Sequence, residues 1–177
     1  MSHTRNYLII LFILLGVFTR LIPHPPNFTA IGSIAVFSGA FFYNKKIACL
    51  LPILIMGISD MILGYEIMWS VYLSFLIIVC LGFTIQKKQS LFRIINISIL
   101  ASIVFFIITN LAVYITSPLY QKNILGLIEC YTLAIPFFFN TLSSQIIYSS
   151  VLFIGFNTLH NAIIVKSKWS ILLSLGV

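Results

Sequence analysis

The stretch YLIILFILLGVFTRLIPHPPNF, residues 7–28, decides the fold class. Its first 13 residues carry no charge; then come Arg20 and a loop holding Pro23, Pro25 and Pro26. A cleaved secretory signal would follow its apolar run with small residues, and an arginine and three prolines stand there instead. The run therefore reads as a retained membrane helix, closed by a loop whose prolines cannot continue it.

The rest of the chain repeats this pattern. Of 177 residues, 60% are hydrophobic and only 7% are charged, too few polar groups to coat a water-soluble globule. Crossing the hydrocarbon takes about 20 apolar residues of helix, and the long unbroken runs lack the alternation of a membrane barrel. The expected class is all-α: a single integral membrane domain over 1–177, with six transmembrane helices in a compact bundle. The spans are placed near 7–22, 29–43, 47–64, 69–85, 94–116 and 137–159. Residues 123–136, NILGLIECYTLAIP, carry Glu129 and end in a proline, so they are expected to form a separate interfacial or re-entrant helix on the outer side.

A net charge of +7 does not point to nucleic acid, because the ten basic residues sit in short clusters between apolar runs. With both termini on the cytoplasmic side, Arg5, Lys45, Lys46, Lys87, Lys88, Arg93, Lys166 and Lys168 fall inside. Arg20 and Lys122 alone fall outside. The same orientation places all three acids, Asp60, Glu66 and Glu129, at the outer ends of spans or in outer loops.

Asp60 lies about 13 residues into its span, near 20 Å up a core of about 30 Å. A carboxylate at that depth costs about 3 kcal/mol, so it needs a partner or a wet cavity, and Arg20 matches it in depth. Asn110 and Asn140 reach the same level. Asn140, Ser144 and Tyr148 recur every four residues and share one face of their helix. Such a stripe points inward, either to a ligand or to neighbouring helices. Tyr65, Trp69 and Tyr72 read as part of an aromatic belt. Gly32, Ala35, Gly39 and Ala40 make a ridge of small residues suited to close helix packing, or to docking on another membrane protein. Cys49, Cys80 and Cys130 have no disulfide or zinc spacing and read as buried thiols. No hydrolase, metalloprotease, P-loop or dinucleotide motif occurs, so neither an enzyme nor a cofactor is expected.

RLIPHPPNFTAIGSIAVFSGAFF, LPILIMGISDMILG, FFIITNLAVY and GLIECYTLAIPFFFNTL together resemble a family of uncharacterised bacterial inner-membrane proteins regarded as transport proteins. That family is similar in size and helix number to the substrate-binding S components of energy-coupling factor (ECF) vitamin transporters. The resemblance implies uptake of a vitamin or metabolite through a cavity open to the outside, with a transmembrane coupling protein and its ATPases as partners. It implies that the proline-rich loop is a lid, and that Arg20, His24, Asn27, Asp60, Asn110, Glu129 and Asn140 line or support the substrate site. The rival expectation is a structural or assembly protein whose polar cluster only locks helices together.

Overall fold

An apolar chain in lipid must satisfy its backbone polar groups internally, and helices do so within one segment. Among its described residues, the computed structural model has six of them: α1 (Ser2–Leu21), α2 (Ile31–Phe41), α3 (Lys45–Leu63), α4 (Trp69–Phe83), α5 (Leu91–Thr116) and α6 (Ile124–Ser174). It describes residues 2–87 and 89–174, with the side chains of 10–87 and 89–158. The side chains of Arg5, Lys88, Lys166 and Lys168, which carry part of the charge asymmetry, lie outside that set, as do those of His3 and His160.

Local chemistry sets the helix ends. Asn44 caps α3 by accepting from the amides of Lys46 and Ile47 at 3.0 and 3.4 Å, and Ser90 accepts from the Arg93 amide at the start of α5. At the far end of α3, Gly64 adopts φ 68°, a left-handed conformation that glycine reaches without strain, and the chain reverses there.

α3, α5 and residues 124–158 of α6 are long and apolar enough to cross a membrane. α2, α4 and the part of α1 with described side chains, residues 10–21, are shorter apolar stretches. α2 has 11 residues, about 16 Å of helix, roughly half of what a crossing needs. Ten of the 11 are buried, so the segment expected as a span at 29–43 is a half-length helix at the centre of the bundle. Its end carbonyls are satisfied from elsewhere: the side-chain amides of Gln86 and Gln89 donate to Gly39 and Ala40 at 2.8 and 3.4 Å. At its start, the Ala30 amide donates to Thr19 Oγ1 at 3.3 Å.

Phe37, 1% exposed, anchors the core, with the rings of Phe12, Phe41, Phe153 and Phe156 centred 4.4–5.4 Å away. The small-residue ridge is also resolved. Ala35 and Ala40 are buried, and Gly39 meets Gly82 of α4 so closely that a Cβ on either would lie 2.9 Å from the other's Cα. This ridge packs α2 inside the bundle and presents no docking face.

Two further expectations are corrected. Residues 124–136 are not a separate helix, since they form the first turns of the 51-residue α6. Pro136 removes one backbone bond, yet the segment is held against α5: Tyr131 donates to the Ile107 carbonyl at 2.8 Å, and the Phe106 ring packs on Tyr131 and Phe138. Of the three cysteines only Cys130 is buried; Cys49 is half-buried and Cys80 is exposed on α4.

Candidate functional site

Because Gly64 ends α3, Asp60 occupies the last turn of that helix, and the reversing chain carries Tyr65 back over the end of α1. Arg20, in the last turn of α1, reaches across. Its Nη1 donates to Asp60 Oδ1 at 2.6 Å and to Ser59 Oγ at 2.7 Å, and lies 3.5 Å from Met56 Sδ. The second Asp60 oxygen accepts from Tyr72 Oη of α4 at 2.7 Å. The Tyr65 ring covers the guanidinium, with its centroid 5.7 Å from Cζ. α1, α3 and α4 are thereby tied by one carboxylate whose two oxygens are both engaged. The side chains of Arg20 and Asp60 are 15% and 5% exposed, so the pair is nearly dry.

This pair forms one wall of a cavity of about 820 Å³. The loop between α1 and α2 forms its rim with Pro23, His24, Pro26 and Asn27. Phe75, Ile78, Ala101 and Phe105 give an apolar wall, and Thr141, Ser144 and Gln145 of α6 give a second polar one. Glu66, exposed to solvent, stands at the rim. Among the described residues, no group of three potential metal ligands is gathered.

The loop is held in a defined shape. Asn27 has φ 65°, the left-handed region that asparagine tolerates better than other side chains. This lets the Phe28 amide turn back to the Pro25 carbonyl at 3.0 Å. His24 Nδ1 lies 2.8 Å from the same carbonyl, which can only accept, so Nδ1 carries the proton. The Asn140, Ser144 and Tyr148 stripe faces this loop: Asn140 Nδ2 donates to the Pro26 carbonyl at 3.1 Å, and the Phe28 ring packs edge-on against Tyr148 at 5.9 Å. Asn27→Val should therefore cost about 1–2 kcal/mol, read as a lower melting temperature in detergent, while Asn27→Gly stays within a few tenths.

Of the residues expected at the site, Arg20, His24, Asn27 and Asp60 line the cavity. Asn140 supports it from behind, through the loop carbonyl. Asn110 and Glu129 do not belong to it. Asn110 Nδ2 is spent on the Phe106 carbonyl of its own helix, and Glu129 is exposed on the early turns of α6.

Three contributors lie outside the set of residues expected at the site. Tyr72 passed for a belt residue, although Asp60 needed a second donor at its depth. Ser59 precedes Asp60 in the chain and shares the same donor. Gln145 is an amide inside an apolar run, one position beyond the polar stripe. It is 3% exposed, and its Nε2 has no hydrogen-bond partner among the described residues.

No curated protein and no solved structure matches this chain. A family model, however, covers nearly all of it. Matched over residues 1–168, the chain belongs to the family described as "Family of unknown function (DUF6580)".

Proposed function

We propose that the protein captures a small molecule from the outer side of a bacterial inner membrane, in the manner of an S component, and hands it on for uptake. The observation that carries this reading is the 820 Å³ cavity, whose size suits a metabolite and whose apolar walls hold a few converging polar groups. The stiff 22–29 loop at its mouth fits the role of a rim or lid. The excess of basic residues on the opposite loops supports termini in the cytoplasm. The chain carries no ATP-binding motif, so transport would draw on a coupling protein with its ATPases, or on a gradient.

Uptake of labelled metabolites by cells carrying wild type, Asp60→Asn or Arg20→Gln tests the assignment. The expected result is loss of uptake in both variants at matched membrane abundance. Wild-type uptake in both would remove these residues from the site.

A second reading is favoured by one observation: each Asp60 oxygen already accepts a hydrogen bond from within the protein, from Arg20 and from Tyr72. Here the cluster is a clamp between α1, α3 and α4, and the protein serves membrane assembly. It predicts that Arg20 and Asp60 variants change stability and leave ligand binding untouched.

A further inference from the structure

Resting on the cavity as a ligand site, a further assignment comes from the part of Arg20 that the protein leaves unused. We infer that the ligand is an uncharged molecule with two neighbouring hydrogen-bond acceptors, such as a ring nitrogen beside a carbonyl, held by the Nε–Nη2 edge of Arg20.

A guanidinium carries five N–H donors in a rigid, flat fork. Every acceptor that Arg20 finds among the described residues, Asp60 Oδ1, Ser59 Oγ and Met56 Sδ, lies at Nη1. Nε and Nη2 have none. They are not sealed off either: the enclosed side-chain nitrogens and oxygens that lack a partner are Ser98 Oγ, Gln145 Nε2 and Ser149 Oγ, so the second edge of Arg20 keeps accessible surface. Arg20 belongs to the cavity wall, and its side chain is 15% exposed. The Tyr65 ring lies over the guanidinium, which leaves approach in the plane of the fork, along that edge.

Two donors side by side in one plane match two acceptors side by side. The bonds of 2.6 and 2.7 Å at Nη1 hold the fork in place before any ligand arrives, so little side-chain freedom is lost on binding.

Charge decides between a carboxylate and a neutral acceptor pair. Arg20 already has its counter-ion, Asp60, at 2.6 Å. A ligand carboxylate on the second edge would put a second anion beside one cation in a nearly dry wall, and Glu66 at the rim would repel it further. A neutral pair accepts the same two hydrogen bonds from a charged donor and leaves the wall balanced.

The test uses the full-length protein in detergent. Inosine and cytidine are the probes, each with a ring nitrogen beside a carbonyl; 7-deazainosine and 3-deazacytidine lack that nitrogen, and nicotinate offers a carboxylate instead. At least one neutral probe is expected to bind and to raise the melting temperature, with its deaza analogue about tenfold weaker or more. Arg20→Lys sets a point charge beside Asp60 but has no second edge. It should weaken the bound probe by about tenfold or more, while melting nearer to wild type than Arg20→Gln does. Equal affinity for a probe and its deaza analogue, or wild-type affinity in Arg20→Lys, overturns the inference. Tighter binding of nicotinate than of either neutral probe overturns the ligand class but leaves the cavity as a binding site. If no probe, charged or neutral, shifts the melting temperature, both the class and the binding reading fall.

Discussion

Asp60→Leu is expected to destabilise the protein by about 3–5 kcal/mol, because it strands the Arg20 guanidinium in a nearly dry wall with no counter-charge. The same change leaves Tyr72 Oη without its acceptor. Arg20→Met should cost a similar amount by stranding the carboxylate. The double variant, Arg20→Met with Asp60→Leu, should recover most of the loss, because an apolar pair of similar volume fills the wall without any charge to desolvate. Unfolding of the four proteins in detergent measures the coupling. Additive losses would show that the two charges act independently, contrary to their 2.6 Å contact. If the double variant folds well but binds no ligand, the pair serves recognition as well as cohesion.

The second large effect is expected at the crossing of α2 and α4. Gly82→Leu forces a side chain against the Val36 carbonyl and Gly39 Cα, which are backbone atoms of buried residues in α2 and cannot swing aside. The cost should reach or exceed the upper end of the ~1–3 kcal/mol typical of overpacking, with loss of folded protein from the membrane fraction. Gly57→Leu is the control. Nothing lies within 4 Å of a Cβ at Gly57, and leucine favours helix over glycine by most of 1 kcal/mol, so this variant should be neutral or slightly stabilising. Equal losses at the two positions would mean that glycine matters for helix flexibility rather than for the crossing.

The helical class was legible because apolar runs of this length leave the backbone no other economical solution, and five of the expected segments became helices close to where the runs lie. Arg20 and Asp60 meet as their matching depths implied, which depth and charge alone suffice to suggest. Hydropathy could not distinguish lipid from protein as the surroundings of an apolar residue. It therefore gave α2 the look of a span, although its 11 residues are enclosed by other helices. It also read Pro136 as a stop. The contacts of Tyr131 and Phe106 that hold the helix together across it join residues more than 20 positions apart, which a local pattern does not register. Gln145 was hidden for a related reason: an unpaired amide becomes visible only once every neighbour is in place.

The enclosure of α2 has a consequence for how the protein is made. A helix that touches protein on nearly every side, and is half the thickness of the hydrocarbon, gains little by partitioning into lipid alone. The groups that complete it, Gly82, Gln86 and Gln89, are translated later. During biosynthesis α2 must therefore wait at the insertion machinery, or pass through a poorly bonded state, until α4 and the loop behind it emerge. Truncated chains ending before Gly82 should accordingly be cleared by membrane proteases, whereas those extending through Gln89 should begin to persist.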